Sequence, residues 1–224
     1  MGRSLRAAVG GLIYHVINRA NGRMKIFRKD KDYEAFESIL MEAKREHPMH
    51  ILAYCLMPNH WHIVLRPPGD ENLPRFMRWI TLTHTQRWHA HYKNVGHGHV
   101  YQGRYKSFPV QKDEHFLQLV RYVERNAKRA GLVKHAEEWR WSSLYHREQK
   151  FERQQLLNAW PIKPDTNYLD WVNTPQPKEE IELIRYHIQR GRPYGTDIWM
   201  KRTAAKLGLE STFRNRGRPW DKST

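Results

Sequence analysis

Cysteine is almost missing from this sequence. Cys55 is the one thiol in 224 residues, so neither an internal disulfide nor a cysteine-rich zinc finger can form. It lies in the apolar run Ile51-Leu52-Ala53-Tyr54-Cys55-Leu56-Met57, which reads as a buried structural thiol suited to a reducing cytoplasm. Long apolar segments are missing too: nothing approaches the roughly 18 residues that span a bilayer. The stretch after the basic N-terminus is broken at His15 and is too short for a secretory signal. The expectation is a soluble protein with no membrane partner. Negative charge is scarce, with 23 Asp and Glu against 39 Lys and Arg and a net charge of +16. That imbalance points to a polyanion. Ribosomal, membrane-surface and heparin-binding proteins share it, so the chemistry has to come from residue patterns.

A chain of this length holds one ordinary domain with an appendage, or two small domains. Residues 12–17 read as a β-branched and aromatic strand ended by an Asn21-Gly22 turn. Phe36, Ile39, Leu40 and Ala43 recur at helical spacing, with Asp32 as N-cap. Residues 50–57 and 61–66 form two apolar runs around Pro58-Asn59-His60, the pattern of an antiparallel hairpin. A second helix follows from Asn72, with Phe76, Trp79, Ile80 and Thr83 on one face. Residues 104–110 alternate basic with apolar side chains and read as a fourth strand, and Asp113 caps a helix that stops near Gly131. This order predicts an α+β fold: a ferredoxin-like antiparallel sheet with helices on one face.

Prolines 161, 164, 175 and 177 punctuate the next stretch as a linker would. The predicted organisation is a domain over 1–150, a linker over 151–177 and a basic, mostly helical extension over 178–224. From Arg185 onward ten Lys and Arg face three Asp and Glu, and Arg-Gly-Arg-Pro occurs at 190–193 and again at 216–219. These units resemble minor-groove hooks, in which a slim backbone admits Arg190, Arg192, Arg216 and Arg218 to a narrow groove. Between them Trp199, Ala204 and Leu207 fall on the inner face of a small helix.

Three His-x-His strings occur among the 14 histidines, and about one is expected by chance, so placement decides between them. Residues i and i+2 share a face on a strand but lie ~200° apart on a helix. His89 and His91 fall on a helix and drop out as a chelating pair, while His97 and His99 lie among loop glycines. His60 and His62 begin a strand whose alternates Trp61, Ile63 and Leu65 form its apolar face. The two imidazoles therefore share the opposite face, either as sheet-surface histidines or as a pair able to hold one metal ion.

On the helix after Asp113, Phe116, Val120, Val123, Ala127 and Ala130 make the docking stripe. Tyr122 lies roughly 110° from its middle, so it is not a core residue by pattern. His115, Gln118, Arg125, Asn126 and Arg129 share its side, with Asn126 one turn on. This is either a half-exposed tyrosine on a basic helix or part of a site.

Taken together, Leu56-Met57-Pro58-Asn59-His60-Trp61-His62-Ile63-Val64 resembles the HUH motif (His, bulky apolar, His) of single-tyrosine transposases. Tyr14-His15-Val16, Gln102-Gly103-Arg104-Tyr105-Lys106-Ser107, Tyr122 with Asn126, and Trp139-x-Trp141-Ser142-Ser143 fall in the same family's order. The likeness covers roughly residues 10–145. The tail, including Leu207-Gly208-Leu209-Glu210-Ser211-Thr212, is similar to extensions on REP-associated tyrosine transposases, the branch linked to repetitive extragenic palindromes. The resemblance implies that His60 and His62 hold a divalent metal, Asn126 is the third protein ligand and Tyr122 is the nucleophile. Ala127 departs from the proline that family members often carry after the asparagine, which touches helix geometry but leaves the reacting groups in place.

Two neutral imidazoles and an amide would leave a cation its full +2 charge toward a phosphodiester, and this mixed donor set suits Mg²⁺ or Mn²⁺. Free phenols ionise near pH 10, so the nucleophile needs help from nearby cations such as Arg125, Arg129 or Lys106. The expected reaction forms a 5′-phosphotyrosine and a free 3′-hydroxyl, which conserves the bond energy for rejoining. One phenol in the helix argues against two-tyrosine replication initiators. The expected partner is DNA, single-stranded or in hairpins at palindromic repeats, with Arg19, Arg23, Arg104, Lys106, Arg125 and Arg129 tracking the backbone. A monomer and a homodimer are both compatible, and the expected location is bacterial cytoplasm, associated with the nucleoid. Rival readings are a non-catalytic nucleic-acid binder on the same fold and a metal hydrolase with no covalent step.

Overall fold

The structure, a computed structural model, describes residues 8–96, 98–149 and 156–214. Strand β1 (Ile13–Arg19) is followed by α1 (Asp30–Glu46), the hairpin β2 (His50–Met57) and β3 (His60–Arg66), α2 (Asn72–Tyr92) and β4 (Lys106–Val110). The sheet order is β2-β3-β1-β4, and every neighbouring pair is antiparallel. Two strand-helix-strand units each accept a strand of the other between their own, which is the expected ferredoxin-like arrangement. Only Pro58 and Asn59 separate β2 from β3, so His60 opens the strand rather than closing the turn.

Helix α1 starts earlier than the sequence suggests. Lys29 is its N-cap and Asp32 occupies the third helical position, where its carboxylate accepts the backbone N–H of Arg28 (2.7 Å) and Lys29 (3.2 Å). A carboxylate one turn in serves the orphan donors as well as a capping side chain does, which is why Asp32 mimics an N-cap in sequence.

The sheet is buried on both faces. Tyr14, Val16, Tyr54, Leu56, Trp61, Ile63 and Leu65 pack with α1 and α2. Ile13, Cys55, Met57, Val64, Phe108 and Val110 pack on the other side with Phe116, Val120 and Val123. The expectation of helices on one face therefore holds for α1 and α2, while α3 (Glu114–Glu124) and α4 (Asn126–Arg129) make a further layer on the opposite face. Strands apolar on both faces demand it, because a half-covered sheet would leave that second surface wet.

The helix expected to run from Asp113 to Gly131 is divided at Arg125 (φ −80°, ψ 0°) into α3 and α4. Asp113 does cap it, accepting the N–H of His115 at 3.0 Å, and Gly131 ends it at φ +70°. Leu119 joins the buried stripe, while Ala130 is exposed.

After α5 (Ser143–Glu148), the residues expected to form a linker are packed over 156–177. Trp160, Ile162 and Tyr168 lie against the α3 core, and α6 (Tyr168–Asn173) forms within this stretch. Helix α7 (Lys178–Arg190) buries Ile184 in the same core. Beyond it, the Tyr194 N–H donates to Pro109 O (2.9 Å) and the Gln111 N–H donates to Tyr194 O (2.8 Å), so the extension is laced to the end of β4. Helix α8 (Asp197–Leu207) buries Met200, Thr203 and Ala204, with Trp199 and Leu207 half-buried. Among the described residues, no helix is long and apolar enough to cross a membrane.

Trp61 is fully buried, packs on Phe36 and donates its indole N–H to the Tyr101 hydroxyl at 3.0 Å. Trp61→Ala should cost about 3–5 kcal/mol in urea unfolding; a loss below about 1 kcal/mol would contradict this core. Burial also holds His84 far below the usual imidazole range, at about 3. The folded chain thus refuses a proton that the unfolded chain accepts near pH 6.5, so this contribution is complete above 6.5 and lost as pH falls toward 3. The melting temperature should therefore drop between pH 6.5 and 5, before most carboxylates titrate. His84→Phe should shallow that drop, and an unchanged slope would count against the burial.

Candidate active site

The pairing of β1 with β3 sets His60 opposite Arg19, His62 opposite Ile17 and Val64 opposite His15. Because alternate residues share a face, His15, His60 and His62 all look toward α3. The rings of His60 and His62 are 5.1 Å apart, as are those of His15 and His62. The ring of Tyr122 meets His62 edge-on at 5.9 Å between centroids. The two halves of the sequence motif, on a strand and on a helix, are thus in contact.

Both imidazoles are anchored through Nδ1. His60 Nδ1 lies 2.7 Å from Asn59 Oδ1, and His62 Nδ1 lies 2.8 Å from His15 Nε2. Burial, with Arg19 and Arg129 nearby, lowers His60 to about 4. Burial first, then the neighbouring His15 and His60, holds His62 well below the usual range. His15, with no exposed surface, is lowered by burial to about 3. All three rings are neutral at pH 7, and each of the pair keeps Nε2 unengaged by its anchor.

Tyr122 is 5% exposed and belongs to the same buried layer as Ile184 of α7, where the helical pattern alone leaves an open flank. The Arg129 guanidinium sits 4.1 Å from its ring centroid and donates to Asn126 Oδ1 at 2.9 Å. Asn126 Oδ1 retains a second lone pair, and its buried Nδ2 has no partner among the described residues. The donor set suits a divalent cation: two neutral imidazoles and an amide oxygen line one cleft. The described residues hold one cluster of three His, Asp or Glu groups whose ligand atoms all lie within 4.8 Å of one another, Asp113, Glu114 and His115. None of them lines the cleft, and the Asp113 carboxylate there already serves as helix cap and partner of His115.

The cleft encloses about 850 Å³. Arg19, Arg104, Lys106, Arg129 and Arg185 line it together with His60, His62, Tyr122 and Asn126, and among the described residues no carboxylate does. Of the predicted backbone-tracking residues, Arg125 and Arg23 are not brought in. Arg125 is buried at the helix break, and Arg23 is exposed on the turn beyond β1. Arg190 and Arg192 turn back on the tail: Arg190 donates to the carbonyls of Thr212 and Arg214, and Arg192 stacks 4.0 Å over Phe213. His97, Arg216 and Arg218 lie outside the described residues. Sequence reasoning missed Arg185, Ile188 and Gln189 of α7, which form one wall. Their helical spacing marks a shared face, but nothing local says that this face meets the histidines.

Behind the site, the Trp139-x-Trp141-Ser142-Ser143 string is a clamp. Trp139 Nε1–H donates to Leu56 O (2.9 Å), and the Leu56 N–H donates to Trp141 O (2.9 Å). The Ser143 hydroxyl lies 2.6 Å from the buried Glu124 carboxylate and accepts the Tyr54 N–H at 3.0 Å. The carboxylate also accepts from Tyr168 at 2.7 Å. The end of α3, two residues before Asn126, is therefore fixed to both β2 and α6.

Comparison with known proteins places the chain in a family. The family model described as "Transposase IS200 like" matches residues 8–126, just over half of the chain. The REP-associated tyrosine transposase of Escherichia coli (strain K12) is 25% identical over 140 residues, covering 62% of this chain and 79% of that protein. A solved REP-associated tyrosine transposase bound to a REP hairpin superposes with a TM-score of 0.54 at 20% identity, covering 74% of this chain and 96% of that one. Its fold is the one seen here. Sequence motif, site geometry and family match converge: the chain belongs to the IS200-like transposase family, whose members are DNA-cleaving enzymes.

Proposed function

We propose that the chain is a metal-dependent single-strand DNA endonuclease and strand transferase that cuts at or near palindromic hairpins through a covalent 5′-phosphotyrosine. The observation that carries this reading is the edge-on contact of Tyr122 with His62 in a cleft that the described residues line with five cations and no carboxylate. The relative solved with a REP hairpin supports the choice of substrate. His60, His62 and Asn126 would hold Mg²⁺ or Mn²⁺, which when bound supplies positive charge at the non-bridging oxygens of the scissile phosphate.

The chain's own residues do the rest. Tyr122 Oη attacks phosphorus and the bond to the 3′ oxygen breaks; the phenol proton passes to water, and the leaving 3′ oxygen takes a proton from water to become the free 3′-hydroxyl. Arg129, on the ring face, stabilises negative charge developing on the phenol oxygen. Arg19, Arg104, Lys106 and Arg185 hold flanking phosphates, and their spread over two walls suits a single strand threaded between them. The basic extension over 178–224 contributes through α7, as a wall of the cleft, and through its tail, which we assign to gripping duplex stem.

With a 3′-end-labelled hairpin oligonucleotide and Mn²⁺, a covalent band should appear on a denaturing gel and vanish with EDTA. Tyr122→Phe should reduce cutting at least about a thousand-fold. Cutting that survives this change would favour a hydrolase without a covalent step, and binding with no cutting by the unmodified chain would favour a plain nucleic-acid binder. Arg185→Glu should weaken binding to a short unpaired strand and flatten the dependence of log affinity on log salt by roughly 0.7; an unchanged slope would remove α7 from the substrate path.

A further inference from the structure

We propose that His15 is a positioning residue that fixes the tautomer of His62 and so presents its Nε2 lone pair to the cleft. The inference rests on the reading of His60 and His62 as a metal-holding pair. A neutral imidazole that gives its Nε2 lone pair to a cation must carry its proton on Nδ1. For His60 that proton has an acceptor at the protein surface, Asn59 Oδ1 at 2.7 Å. His62 is 2% exposed, so water does not replace a missing partner, and the atom facing its Nδ1 is His15 Nε2, 2.8 Å away.

Two arrangements of the shared proton are possible. In one, His62 Nδ1–H donates to His15 Nε2, leaving His62 Nε2 unprotonated toward the cleft and placing the His15 proton on Nδ1. In the other, His15 Nε2–H donates to His62 Nδ1, and His62 then carries its proton on Nε2, where it blocks a cation. The structure assigns the first arrangement to a working site.

His15 is not needed as filler. It packs 5.0 Å from the Phe108 ring in an apolar layer, a place that a phenylalanine would fill without burying an unpaired nitrogen of its own. The imidazole instead leaves its own Nδ1 buried with no partner among the described residues, a cost with no return except the bond to His62. The usual orienting partner of a metal-binding histidine is a carboxylate, a carbonyl or water. Here both supporting groups, Asn59 and His15, are uncharged, so they orient the rings without offsetting a cation's charge toward phosphate.

Two measurements on the full chain without DNA test this. Long-range ¹H–¹⁵N correlation of metal-free, ¹⁵N-labelled protein should show His62 protonated on Nδ1; protonation on Nε2 would overturn the proposal without any variant. Titration with Mn²⁺, read by the loss of free-ion electron paramagnetic resonance signal, should show affinity falling roughly 10- to 100-fold in His15→Phe. His15→Gln, whose amide oxygen can accept the same proton, should recover most of it, and near-ultraviolet circular dichroism reports whether each variant folds. If the unmodified chain binds Mn²⁺ and His15→Phe binds it equally well, His15 has no such role while the proposed function stands. If the unmodified chain binds none, the metal reading of the His60 and His62 pair fails, and this inference with it.

Discussion

Strand β3 lies between two apolar layers, and the pleat of that one strand governs the rest. Trp61, Ile63 and Leu65 enter the core under α1 and α2, which forces His60 and His62 into the opposite layer under α3. A register slip of one residue would bury the imidazoles among the aromatics of the first core and bring Trp61 to the cleft. The bulky middle residue of the motif is thus the anchor that aims its two neighbours. The clamp from Trp139 to Ser143 performs the same service for the helix, tying Glu124 and hence Asn126 to the far edge of the sheet.

Electrostatics follow from that placement. Five cationic side chains surround rings that burial keeps neutral, and among the described residues the cleft has no carboxylate to balance them. The mutual repulsion is tolerable because Arg19, Arg104, Lys106 and Arg185 remain solvated, while the half-buried Arg129 rests on the Tyr122 ring and on the Asn126 amide. A phosphodiester backbone in the cleft, as proposed, would relieve it, exchanging water and counterions for fixed charge of the opposite sign. The extension shares in this design. Through Ile184 and Tyr194 it covers apolar surface of the α3 layer, and through Arg185 and Gln189 it faces the site.

The sheet and its first three helices were legible because their residues obey strict periods: two for the strands, 3.6 for the helices, with Pro58-Asn59 and Gly131 as punctuation. The His60 and His62 pair was legible for the same reason, since chelation on a strand needs the period of two that the apolar residues already display. The role of Asp32 was misread by one turn, because a carboxylate that serves helix donors from inside the first turn has nearly the same sequence signature as one that serves them from the cap. The supposed linker was misread because prolines signal a chain that cannot continue a helix, and that holds equally for a free tether and for a packed crossing that buries Trp160 and Tyr168.

Local sequence determined which side chains are candidates for the proposed chemistry and which face of its own element each one occupies, because those properties depend on neighbours a few residues away. Tertiary structure alone decided that Tyr122 touches His62, that Arg125 is withdrawn and Arg185 admitted, and that His15 stands behind His62. Each of these is a meeting of segments 47 to 125 residues apart, or of a side chain with a layer that no local period describes, and the cost of stranding a polar group or wetting an apolar face is settled only when those layers close.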